Sequence, residues 1–192
     1  MLVSNNNAIF NTVDATATLT ADATANSLAF NQNATVAGSA TLTVPFVAVA
    51  ADVAATISAP TADALIKTGA GTLTLGSSRT DATTLSEGTL ELSGTASLDW
   101  TKFTLGTDAA KPVTLDFGET ATLASVPATW YVGNVANITS TVVKAGGDWT
   151  FSNDVRVGSG AGSVASFYHK GGTISALRLF VGDDNNKMNI DN

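Results

Sequence analysis

The sequence reads Gly71-Thr72-Leu73-Thr74-Leu75, and Gly88-Thr89-Leu90-Glu91-Leu92 repeats this pattern after a polar turn. In both stretches leucine alternates with a polar residue, which places apolar side chains on one face of a β-strand. Pro112-Val113-Thr114-Leu115-Asp116-Phe117 alternates in the same way. The pattern predicts short, half-buried strands and an all-β chain. The side chains that we expect to be buried and stacked include Leu73, Leu75, Leu90, Leu92, Leu115 and Val157.

A repeat of strand ends connects these segments. A Leu-Gly or Val-Gly pair recurs at intervals of about 24 to 30 residues, a period typical of solenoids, propellers and arrays. The pairs are Leu75-Gly76, Leu105-Gly106, Val132-Gly133, Val157-Gly158 and Val181-Gly182. Two further pairs, Gly146-Gly147 and Gly171-Gly172, lie about 25 residues apart. Each glycine is expected at a corner where the backbone adopts a positive φ.

The repeat predicts a right-handed parallel β-helix, or β-solenoid, of roughly eight coils of about 25 residues, because parallel crossover connections are nearly always right-handed. We expect residues 1–192 to form a single segment of this solenoid. Neither end of the sequence resembles a cap, which predicts part of a longer protein or an open-ended subunit that associates end to end.

Composition excludes several classes of function. Only 13% of the 192 residues are charged, the formal net charge is −7, cysteine is absent and there is one histidine. A negative chain does not match the phosphates of nucleic acid, and most zinc, haem and iron–sulfur sites lack their ligands. The longest apolar stretch, residues 44–55, is too short to insert into a membrane. We therefore expect no nucleic-acid partner, no cofactor and no membrane insertion of this segment.

Residues 65–94 resemble the autotransporter-associated β-strand repeat. Lys67-Thr68-Gly69-Ala70-Gly71-Thr72-Leu73-Thr74-Leu75 is similar to the first half of that repeat, and Glu87-Gly88-Thr89-Leu90-Glu91-Leu92 to the second. Residues 78–84 depart from the usual connecting turn. The resemblance implies a parallel β-helix in a large secreted or surface protein, and it implies no catalytic residues, because the repeat is a scaffold motif.

Several polar residues are candidates for chemistry. Asp183-Asp184-Asn185-Asn186 is the densest group of oxygen donors, so it is either a calcium site or an Asx-rich corner. His169 lacks a Ser/Asp pairing, which favours a structural role. The acids Glu91, Asp99 and Asp116 are expected to face outward on separate strands, with no spacing that announces a catalytic pair.

Threonine and tryptophan raise two binding hypotheses. Thr-x-Thr occurs at Thr16-Ala17-Thr18, Thr18-Leu19-Thr20, Thr41-Leu42-Thr43 and Thr72-Leu73-Thr74, a pattern that ice-binding solenoids require. Threonine is also the favoured polar residue on an exposed strand. There are two hypotheses for the tryptophans Trp100, Trp130 and Trp149. They form an exposed strip that stacks on sugars, or, as we expect, they fill gaps in the core.

The sequence therefore predicts a non-enzymatic, extracellular or cell-surface structural or adhesive segment that self-associates. It assigns no catalytic, cofactor-binding or metal-binding residue. An ice-binding solenoid and a polysaccharide-degrading β-helix enzyme are the alternatives. Whether the partner is a host protein, a glycan or another copy of the chain is open at this point.

Overall fold

The computed structural model describes residues 6–182 and the backbone of residues 187–190. Within these ranges the chain is all-β, with one 3₁₀ helix at Trp100–Lys102 as its only helix. Every pairing between these strands is parallel. The all-β prediction is confirmed, and the parallel sheets are consistent with a β-solenoid.

The strands, numbered in chain order, are short. They are β1 Asn7–Phe10, β2 Ala15–Leu19, β3 Ala23–Thr24, β4 Ser27–Phe30, β5 Ala34–Gly38, β6 Leu42–Thr43, β7 Phe46–Val49, β8 Ala54–Ile57, β9 Thr61–Ala62, β10 Leu65–Thr68, β11 Thr72–Leu75, β12 Thr83–Leu85, β13 Gly88–Leu92, β14 Ser97–Asp99, β15 Phe103–Leu105, β16 Val113–Phe117, β17 Thr122–Ser125, β18 Trp130–Val132, β19 Thr139–Lys144, β20 Asp148–Thr150, β21 Asp154–Val157, β22 Val164–His169, β23 Thr173–Ser175, β24 Arg178–Val181 and β25 Lys187–Ile190.

One sheet is continuous and the others are interrupted. A nine-stranded sheet has the order β2-β5-β8-β11-β13-β16-β19-β22-β25. A six-stranded sheet, β1-β4-β7-β10-β12-β15, ends at β15, and the three-stranded sheet β18-β21-β24 begins one repeat later. The remaining sheets are β3-β6-β9, β14-β17 and β20-β23. The chain returns to the nine-stranded sheet once in every repeat.

The length of the repeat changes along the chain. Thr74 is bonded to Glu91 in the next strand of the nine-stranded sheet, 17 residues later. From β13 to β22 the repeat is longer, as shown by the bond of Asp148 to Thr173, 25 residues later. The expected 25 residues per coil is therefore correct for the second part of the chain and too long for the first. Leu75 and Leu105 end strands of different sheets, so the interval between them is not a repeat.

The later strand ends do stack as predicted. Val132 lies opposite Val157, and Val157 lies opposite Val181. The glycines that follow Val132 and Val157 have φ angles of 70° and 74°, the left-handed conformation that the corner hypothesis requires. Gly76 and Gly182 do not have a positive φ, so the hypothesis holds for only part of the repeat.

The core consists of rows of side chains that run across the strands. Leu73, Leu90, Leu115, Val142 and Phe167 lie in register in five successive strands, and each is fully buried. Leu75, Leu92 and Val157 are buried too, so the predicted core is confirmed. Burial of each such side chain stabilises the fold by about 1.5–3 kcal/mol.

Candidate functional site

The outer face of the nine-stranded sheet carries two rows of polar side chains. Thr16, Thr35, Thr56 and Thr74 lie in register in four successive strands. A second row, two residues away, contains Thr72, Thr89, Thr114 and Thr141. The rows overlap as Thr-x-Thr in β11, because the first row continues with Glu91 after Thr74. The threonines are thus more regular than the sequence motifs indicated.

Two acids of the first row are neighbours. Glu91 lies directly opposite Asp116 in the adjacent strand, and the hydroxyl of Thr74 donates to Glu91 Oε2 over 3.3 Å. Partial burial, followed by the negative charge of Glu91, raises the pKa of Asp116, and Lys170 opposes this shift. The acids lie on separate strands, as expected, and a repeat of 25 residues places Glu91 and Asp116 opposite each other. Two stacked carboxyl groups can share a proton or attract a cation.

Asp99 does not join this pair. It caps the 3₁₀ helix, where its Oδ1 accepts from the amide of Thr101 over 3.0 Å and from the hydroxyl over 2.6 Å. Its strand, β14, belongs to a different sheet from β13 and β16. Among the described residues, no group of three or more His, Cys, Asp or Glu side chains is arranged to hold a metal ion. The Asp183–Asn186 candidate lies outside the described residues.

His169 lies on the same face of β22 as Phe167, as expected from its position. The two rings stack with centroids 6.5 Å apart and an interplanar angle of 7°. Burial, with a smaller contribution from the charge of Lys144, lowers the pKa of His169. Its Nδ1 is buried without a hydrogen-bond partner among the described residues. The contacts described for this side chain are those of a packed residue.

The three tryptophans contribute to one aromatic cluster. Trp130 is fully buried, Trp149 is 3% exposed, and Trp100 is 9% exposed. The ring of Trp130 lies 5.0 Å from Trp100, 5.5 Å from Trp149 and 5.3 Å from Phe151. The prediction that tryptophans fill the core is confirmed, and these side chains do not form an exposed strip.

Sequence reasoning missed three cations in the core. Lys67, Arg79 and Lys144 are fully buried. Lys67 Nζ donates to the carbonyl oxygens of Gly69, of Gly71 over 2.6 Å and of Glu87 over 2.9 Å. Lys144 Nζ donates to the oxygens of Gly147 and Gly171, both over 2.6 Å.

Arg79 has a comparable set of partners. Its guanidinium donates to the hydroxyl of Thr61 over 2.8 Å, to that of Thr83 over 3.3 Å and to the main-chain oxygen of Asp63. The signal for the two lysines is strand parity, because Lys67 follows buried Leu65 by two residues and Lys144 follows Val142 in the same way. Each ammonium binds carbonyl groups of its own repeat and of the next, so these cations stabilise glycine corners.

A charged group joins β21 to β24. Asp154 accepts from Arg178 Nε over 2.9 Å and Nη2 over 3.1 Å, and from Arg156 Nη2 over 2.9 Å. The hydrogen bonds from Arg178, with those from Arg156, lower the pKa of Asp154, although burial opposes them. Both guanidinium groups also lie over the Phe180 ring, at 4.4 Å and 5.3 Å from its centroid. One carboxylate thus binds two guanidinium groups of neighbouring strands.

Within residues 6–182 and 187–190 there is no helix long and apolar enough to cross a membrane. Comparisons with protein-family models, with curated proteins and with solved structures found no match to this chain.

Proposed function

We propose that the chain is a right-handed parallel β-helix that serves as a non-enzymatic structural or adhesive segment of a secreted or cell-surface protein. The observation that carries the proposal is the uninterrupted nine-stranded parallel sheet with its in-register apolar rows. At about 4.8 Å per strand, this sheet extends about 35–40 Å, and a solenoid of this kind holds its two ends apart. The resemblance of residues 65–94 to a surface-protein repeat supports the extracellular location.

Immunogold labelling of intact source cells tests the location. Labelling of the outer surface without permeabilisation is the expected result, and labelling found only inside the cells would contradict the proposal. Incubation with a panel of polysaccharides tests the non-enzymatic role. We expect no release of reducing ends, and a clear release that disappears in Asp116→Asn would favour the enzyme alternative.

The proposal includes self-association, because apolar side chains that continue the core rows are exposed in β24. Val155 and Val157 are buried, but Leu179 and Val181, which lie opposite them in β24, are 48% and 44% exposed. A following coil of a longer chain, or a second copy stacked on this strand, would cover these side chains as β24 covers β21. Because the net charge of −7 opposes association, light scattering should show larger particles as salt rises from about 10 to 500 mM. A constant monomer over this range would contradict this part of the proposal.

Ice binding is a second candidate, favoured by the threonine rows of the nine-stranded sheet. Four in-register threonines in each row present hydroxyl and methyl groups at the spacing of the strands. The rows overlap over only part of the sheet, which limits the width of the array. A thermal-hysteresis measurement discriminates the candidates, since a scaffold leaves the freezing point at its colligative value.

A further inference from the structure

A surface cleft lies where the six-stranded sheet stops. β15 is the last strand of that sheet, and β18, which follows one repeat later, belongs to a different sheet. Between them is a cavity of about 270 Å³, lined on one side by residues of the 3₁₀ helix and β15 and on the other by residues around β18. The adjoining strands β14 and β17 remain paired, so the opening is local.

The lining combines aromatic and hydrogen-bonding side chains. Trp100, Phe103 and Tyr131 supply rings, and Thr101, Thr129 and Asn134 supply hydroxyl and amide groups. Tyr131 is 36% exposed, while Trp100 packs against Trp130 and Phe103, at 5.0 Å and 5.2 Å between ring centroids. The Trp100 ring is therefore held in place by its neighbours, and the Tyr131 ring is open to solvent.

We propose that this cleft binds a sugar ring of a neutral glycan, which identifies the partner class of the adhesive segment and in that respect rests on the proposed function. A pyranose presents an apolar face of C–H groups and a rim of hydroxyls. Aromatic rings complement the face, and Thr and Asn side chains complement the rim. Among the described strands, β15 and β18 each have one edge without a partner strand, and main-chain groups of these edges can supply further donors and acceptors.

The charge distribution selects a neutral ligand. No residue that lines the cleft carries a formal charge, and all of these residues belong to the described part of the chain. Lys102 is a basic residue beside the cleft, and its ammonium is already engaged. Its Nζ donates to the main-chain oxygen of Thr80 over 2.7 Å and lies 3.8 Å from Asp99 Oδ2. A uronate or sulfated sugar would lack a cationic partner here and would meet a chain of net charge −7.

The size of the cleft favours a sugar over a proline-rich peptide. Such a peptide docks as an extended helix along a groove with successive aromatic-lined slots. A cavity of about 270 Å³ lies slightly below the range of sites for drug-sized ligands, which suits one sugar ring with its linkages directed outward. One ring in a shallow site gives a Kd on the order of 1 mM.

Calorimetric titration of the whole chain with four neutral hexasaccharides (of cellulose, xylan, starch and mannan type) tests the proposal. We expect at least one to bind, and Tyr131→Ala to weaken it by at least tenfold. Tyr168→Ala is the matched control, since it removes the second of the two tyrosines from the outer face of the nine-stranded sheet, and it should leave the affinity unchanged. Asn134→Ala, an exposed position, should weaken binding several-fold and provides a second variant if Tyr131→Ala affects folding.

Three results would overturn the assignment. The first is that none of the four sugars binds up to 10 mM. The second is an equal loss of sugar affinity in the two tyrosine variants. The third is that a polygalacturonate hexasaccharide or a proline-rich decapeptide binds more tightly than the neutral sugars and that Tyr131→Ala abolishes this binding. Failure of the sugar-binding assignment can be distinguished from failure of the proposed surface function. A chain that binds sugar but is found only inside cells contradicts the surface role alone, and a surface chain that binds none of the sugars contradicts the cleft alone.

Discussion

Lys67 Nζ donates a hydrogen bond to the main-chain oxygen of Glu87, 2.9 Å away, and so joins two successive repeats from within the core. The same ammonium binds the carbonyl oxygens of Gly69 and Gly71 in its own repeat. A lone buried cation would be strongly unfavourable, and three carbonyl partners offset part of the cost of its lost hydration. The lysine therefore stabilises the corner that connects β10 to β11.

Replacement of this lysine should destabilise the fold at neutral pH. Lys67→Met keeps the length of the side chain and removes all three hydrogen bonds, so we expect the free energy of unfolding to fall by about 1–3 kcal/mol in urea titrations. Lys170→Met, at an exposed position, is the control and should change it by less than about 0.5 kcal/mol. Equal effects of the two substitutions would mean that the buried contacts contribute nothing.

The same lysine predicts a dependence on pH. Burial lowers the pKa of Lys67 from 10.5 to about 8, against the opposing effect of Glu87. Between these two values the unfolded chain holds more protons on this side chain than the folded chain does, so its contribution to stability rises with pH. Unfolding of the wild type and Lys67→Met should be compared from pH 7 to 11. The free energy of unfolding of the wild type, relative to that of Lys67→Met, should increase above pH 8. A relative free energy that stays constant or decreases would contradict this.

The sequence predicts the strands well and the alignment between them less well. Period-two alternation at Leu73 and Leu75 depends only on neighbouring residues, so it identifies the buried face correctly. The pairing of Glu91 with Asp116 depends on the length of the loop between them, which no local pattern determines. Lys144 was missed because charge normally indicates the exposed face, and its partner Gly171 lies 27 residues away.

The two faces of β11 should differ sharply in their tolerance of substitution. Leu73 is fully buried between Ala55 and Leu90, whereas Thr74 faces outward. Leu73→Ala should cost about 2–5 kcal/mol through lost contacts and a cavity, and Thr74→Ala less than about 0.5 kcal/mol. Urea unfolding of both variants measures this. Similar costs at the two positions would show that the assignment of the faces is wrong.

Two glycines allow the cost of a left-handed backbone conformation to be distinguished from the cost of a steric clash. Gly69 and Gly94 both have left-handed φ angles, 77° and 59°. A Cβ at Gly69 would lie 2.2 Å from the carbonyl oxygen of Val49, whereas a Cβ at Gly94 would have nothing within 4 Å. Gly94→Ala should therefore cost only the conformational strain, about 1–2 kcal/mol. Gly69→Ala should cost clearly more, measured as a lower Tm, and equal costs would exclude a role for the close approach.

The carboxyl pair on the outer face should destabilise the folded chain at neutral pH. Burial and the charge of Glu91 raise the pKa of Asp116 above 3.8. Just above pH 3.8 the folded chain holds more protons on this group than the unfolded chain does. The free energy of unfolding therefore falls as the pH rises from 3.8 through the raised pKa of Asp116, and this loss persists at pH 7. Asp116→Asn removes the repulsion between directly opposed like charges, and it should raise the free energy of unfolding at pH 7 by about 0.2–1 kcal/mol relative to its effect at pH 3. A loss of stability in Asp116→Asn at pH 7 would instead mean that the ionised carboxylate makes a favourable contact in this row.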